Sequence, residues 1–89
     1  MKVDATSITN ANARVLLQQG LAAIGAGDAA IDMSAVVACD SSAVALVLAW
    51  QRAARDSGVK LALTGVPKDL LSLAALYGVE VLLGAPPLQ

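Results

Sequence analysis

The chain has no histidine, no phenylalanine, one cysteine (Cys39), one tryptophan (Trp50) and one tyrosine (Tyr77). Each shortage removes a class of function. Without histidine no Ser-His-Asp triad can form, and the commonest general base and metal ligand is missing. A lone cysteine forbids an internal disulfide, and with scattered carboxylates it makes a poor metal site. Two aromatic residues do not build a base-stacking platform. Charged residues are 15% of the 89 and the net charge is -1, so no basic stripe is available to neutralise nucleic-acid phosphates. The longest apolar run, Ala43 to Trp50, is far shorter than the roughly 20 residues that span a bilayer. Met1-Lys2-Val3-Asp4 lacks the hydrophobic region of a signal peptide. No Gly-x-x-x-x-Gly-Lys-Ser/Thr phosphate loop occurs. The expectation is a cytoplasmic chain with no cofactor, no nucleic-acid partner and no direct membrane insertion.

What the chain has instead is apolar surface. It is 57% hydrophobic, above the usual 45–50% of globular domains. A small chain of this kind packs very efficiently or leaves an apolar face for another protein. Its length suits one domain, residues 1–89, with a thin core.

Punctuation along the chain predicts alternating strands and helices. Residues 1–5 read as a short or incomplete strand, and Thr9 or Asn10 as the N-cap of a helix over Ala11 to Ile24. Leu17, Leu21 and Ile24 supply that helix with a 3.6-residue stripe, and Gly25-Ala26-Gly27-Asp28 ends it. Ala29 to Met33 reads as a short strand, and Val36 to Cys39 continues its approach to the Asp40-Ser41-Ser42 turn. A second helix runs from Ser42 to about Asp56 and stops at Ser57-Gly58, where glycine suits a left-handed C-cap. Lys60 to Thr64 is a strand, Gly65-Val66-Pro67 a turn, and Lys68 to Tyr77 a third helix opened by Pro67. Val79 to Leu83 reads as a last strand and residues 84–89 as a tail. The order predicts an α/β fold with a mixed, mostly parallel sheet and about three helices.

The segment that concentrates interest is Asp40-Ser41-Ser42, where an apolar strand meets an apolar helix. A hydroxyl at a helix N-terminus lies among unpaired N–H donors and the positive end of the helix dipole. Two readings stand: Ser41 or Ser42 is only a cap, or Ser41 is a docking or switch point. Asp40 suits an Asx-turn, accepting backbone N–H groups. A catalytic role does not suit it, because no histidine or lysine stands near in sequence to form a nucleophile–base pair.

The order of these pieces resembles the STAS domain, the family of anti-sigma-factor antagonists and of the small STAS subunit of the Mla phospholipid ABC transporter. Asp40-Ser41-Ser42-Ala43 is similar to the family's Asp-Ser/Thr-Ser/Ala-Gly. Asp32-Met33-Ser34-Ala35-Val36 is similar to its Asp-x-Ser-x-Val. Gly65-Val66-Pro67 and Leu73-Ala74-Ala75-Leu76-Tyr77-Gly78-Val79 extend the likeness, the latter toward the transporter branch. Two departures are Ala43 in place of glycine and a shortened N-terminal strand region.

The resemblance implies a non-catalytic accessory subunit. It would bind the cytoplasmic ATPase of a phospholipid-transporting ABC complex that maintains outer-membrane lipid asymmetry. It would sit at the inner membrane through that complex. The alternative it implies is an anti-sigma factor antagonist switched by phosphorylation of Ser41. The expected docking residues are Ser41, Asp40 and Ser42. Leu46, Trp50, Arg52 and Tyr77 are expected at the partner interface, since Trp and Arg favour interface hot spots. The opposing reading places Trp50 in a corner of the core. A homodimer is a further expectation.

Overall fold

A computed structural model describes residues 1–28 and 30–78. The elements are β1 (Ser7–Ile8), α1 (Ala13–Gly25), β2 (Ala30–Asp32), β3 (Ala38–Cys39), α2 (Ser42–Asp56), β4 (Ala62–Thr64) and α3 (Lys68–Leu76). Every strand pairing among the described residues is parallel, as crossover connections through helices require. β2 pairs with β4 in the register Ile31↔Leu63, and β1 with β3 in the register Ser7↔Ala38. A single bridge, Lys2↔Asp32, ties the N-terminal segment to β2. The partner offset grows by one residue between that bridge and Ser7↔Ala38, so the 33–37 turn absorbs an extra residue as a bulge does.

The expected short strand at residues 1–5 is reduced to that bridge, and the regular pairing falls later, at β1. Two residues carry no readable alternation, which is why β1 escaped the sequence pattern. α1 starts at Ala13 and not at Ala11, because Thr9 and Asn12 occupy each other first. The Asn12 side-chain oxygen accepts the Thr9 N–H at 3.0 Å, while the Thr9 hydroxyl accepts the Ala11 N–H at 3.2 Å. The expected Val79 to Leu83 strand and the 84–89 tail lie outside the described residues.

α2 has the predicted bounds, and its end shows why. The Val59 N–H reaches the Ala54 carbonyl at 2.9 Å and the Gly58 N–H reaches Arg55 at 3.1 Å, with Gly58 at φ 73°. This is the Schellman closure, which only a residue tolerant of positive φ completes at no steric cost. α1 packs chiefly on α2, and α3 meets both α2 and β3. The core between these layers holds Val3, Ile8, Ile31, Met33, Val47, Trp50 and Leu70, all fully buried.

Trp50 settles the packing of the two long helices. A Cβ built on Gly20 would stand 2.0 Å from the Trp50 ring nitrogen, so the indole lies directly on the α1 backbone. Its Nε1–H points to the Leu17 carbonyl at 3.4 Å. Buried indole N–H groups need such a partner.

Candidate functional site

The Asp40 turn is built from its own backbone needs. The chain leaves β3 with the Asp40 N–H donating to the Ile8 carbonyl at 3.1 Å. Asp40 Oδ1 then accepts the Ser42 N–H at 2.8 Å and also the Ser42 hydroxyl. Ser41 already has helical angles, φ -62° and ψ -19°, so the capping side chain is Asp40, one residue further back. The Ser41 carbonyl receives the Val44 N–H at 3.1 Å.

The reading of Ser41 or Ser42 as the cap is therefore corrected. Neither serine hydroxyl bonds to a helix N–H. Ser42 spends its hydroxyl on Asp40. Ser41 is exposed, and its hydroxyl has no hydrogen-bond partner among the described residues. Ala43, where the family has glycine, is fully buried in the first turn of α2. No described non-glycine residue has positive φ, so this turn does not use a glycine's freedom.

Electrostatics at the turn do not favour proton transfer. The Ser42 hydroxyl, followed by the Ser42 N–H, holds the Asp40 carboxyl below its ordinary range. An exposed carboxylate kept ionised in this way is a poor general acid. The neighbouring Cys39 thiol is pushed up, first by burial and then by the charges of Asp69 and Asp40. It is thus held as a thiol, unsuited to nucleophilic chemistry. Among the described residues no cluster of His, Cys, Asp or Glu is arranged to hold a metal ion.

Two hollows flank Ser41. One is lined by Cys39, Asp40, Ser41, Asp69, Ser72 and Leu73, and joins the turn to α3. The other is lined by Ser41, Val44, Ala45, Leu48 and Tyr77 and is mainly apolar. Along α2, Ser41, Ala45, Leu48 and Arg52 fall on one stripe at helical spacing, half-buried at Leu48 and exposed elsewhere. Tyr77 and Leu76, at the end of α3, are 56% and 77% exposed.

This arrangement divides the expected interface residues. Arg52 is exposed on the Ser41 stripe, and Tyr77 lines a hollow with Ser41. Leu46 and Trp50 do not join them: they are 4% and 0% exposed. The reason is geometric. α2 buries both the Ala43–Leu46–Trp50 stripe and the Val44–Val47 stripe, because α1 with its bare Gly20 lies against the Trp50 side. Ala45 and Leu48 stand on the outer face with Ser41. The readable signal for this was Gly20, a glycine in the middle of a helix, which marks a close approach.

The fold of the described residues is a small parallel α/β domain in which three helices meet short strands. A family model described as "Mlab, STAS domain" matches residues 5–84, and the chain belongs to that family, a STAS domain of the MlaB type. STAS domains are generally non-catalytic. No curated protein matches the chain. No described helix is long and apolar enough to cross a membrane.

Proposed function

We propose that this domain is an accessory subunit of a phospholipid-transporting ABC complex and docks on the cytoplasmic ATPase of that complex. The observation that carries the reading is the exposed Ser41 hydroxyl, without a hydrogen-bond partner among the described residues, at the head of the Ala45–Leu48–Arg52 stripe and beside Tyr77. The family match supports the transporter branch by its MlaB type. In this reading the apolar side chains supply binding energy, while Ser41 and Arg52 fix register at the polar rim. The domain stabilises or regulates the ATPase and performs no chemistry.

The test is co-purification from native cells with tagged wild type and Ser41→Glu, followed by mass spectrometry. Recovery of an ABC ATPase and its permease with wild type, lost in Ser41→Glu at an unchanged Tm, is the expected result. Recovery of a kinase-like anti-sigma factor in their place would replace this reading with a phosphorylation-switched antagonist. The free Ser41 hydroxyl is also compatible with that alternative, although a phosphate there would stand beside the ionised Asp40.

A further inference from the structure

The N-terminal segment forms a sheet edge that is closed at one end and open at the other. At Lys2↔Asp32 the Val3 N–H donates to the Asp32 carbonyl at 2.9 Å, and the Asp32 N–H to the Met1 carbonyl at 2.8 Å. In a parallel bridge of this kind the N–H and C=O of Lys2 itself point away from β2. The N–H and C=O of Asp4, two residues further on and before the bend at Thr6, bond to neither β2 nor β3. None of these four groups has a hydrogen-bond partner among the described residues. Further along, Ser7 also turns its carbonyl outward, but there the Asn12 side-chain amide donates to it at 2.8 Å. Asn12 thus covers the edge at Ser7, and no described residue covers it at Lys2 and Asp4.

The bare stretch is self-complementary. Val3 is fully buried, so Lys2 and Asp4, both exposed, project on the opposite face of the strand. Two copies laid antiparallel about Val3 place each Lys2 across from the other copy's Asp4. Both such positions are hydrogen-bonded pairs, so all four outward peptide groups of each chain are satisfied. Shifting the register by two residues in either direction sets Lys2 against Lys2 or Asp4 against Asp4, which is repulsive. The slip cannot extend toward Thr6, whose carbonyl turns inward to the Val37 N–H at 2.8 Å.

We propose that a second copy of this chain pairs with the Lys2–Asp4 edge as an antiparallel strand centred on Val3. The contact is short, so the dimer is weak and concentration-dependent. It uses none of the residues around Ser41 and stands apart from the transporter reading.

The experiment is sedimentation equilibrium of the full chain up to about 1 mM, at low and high salt. Wild type is expected to show a monomer–dimer equilibrium that weakens as salt rises. Asp4→Lys and Lys2→Asp, each creating like-charge pairs on both sides of the two-fold, are expected to weaken it about tenfold or more. The double variant Lys2→Asp/Asp4→Lys restores the opposite pairing and returns the dimer. Circular dichroism melts confirm that the exposed substitutions leave the fold intact. A chain that stays monomeric at every concentration overturns the proposal. So does a dimer indifferent to the single charge changes, or one that the double exchange fails to rescue.

Discussion

Asp32-Met33-Ser34-Ala35-Val36 and Asp40-Ser41-Ser42-Ala43-Val44 differ only in their second residue, yet one points into the protein and the other out of it. In both, the aspartate Oδ1 accepts the N–H two residues on at 2.8 Å. In both, the serine at that position is the main cause of a lowered carboxyl pKa. Met33 is fully buried, and the first turn is closed from above by Gly65, where an added Cβ would meet Ser34 Cα at 2.7 Å. Ser41 is exposed and has hollows on both sides. The same local turn chemistry thus serves as a core anchor where another backbone crosses it, and as a surface where none of the described residues does.

Exchanging the second residues is the sharpest way to break this comparison. Met33→Ser removes a fully buried side chain and leaves a hydroxyl in its cavity. It is expected to lower unfolding free energy by about 3–5 kcal/mol in urea titrations. Gly65→Ala attacks the first turn from the opposite side. With φ at 63° and the Ser34 backbone in the way, a loss of about 2–3 kcal/mol is expected by the same measurement.

The pH response of the two turns is smaller and has a definite sign. The folded-state pKa values of Asp32 and Asp40 are depressed. Their contribution is therefore fully present above the ordinary carboxylate range and is lost as pH falls below about 4. Asp40→Asn keeps an oxygen to accept the Ser42 N–H but cannot titrate. Its Tm should follow wild type near neutrality and fall less steeply in acid. The reverse exchange, Ser41→Met, has the smallest effect: a stability change within about 0.5 kcal/mol, because the side chain stays in solvent.

The sequence was most legible where local chemistry ends an element. Gly58 closes α2, and that bound follows from capping alone. It was least legible where two surfaces compete for one helix. Ala43, Leu46 and Trp50 and the Val44–Val47 stripe are both apolar, and periodicity does not rank them. Both stripes are buried, and the Trp50 side is admitted by Gly20, 30 residues earlier in the chain, whose missing side chain makes room for the indole. The Ser41 turn was visible as a site from its residues. That Asp40 caps it, leaving Ser41 free, depends on the backbone angle at Ser41, which no residue type specifies.

The central claim is that the outward face beginning at Ser41 binds the ATPase while the inward face only holds the fold. The most direct measurement pairs co-purification of the ATPase with thermal melts for Ala45→Glu, an exposed position one helical turn beyond Ser41. The account predicts that the ATPase is lost and Tm is unchanged. Full retention of the ATPase by a folded Ala45→Glu protein would contradict it.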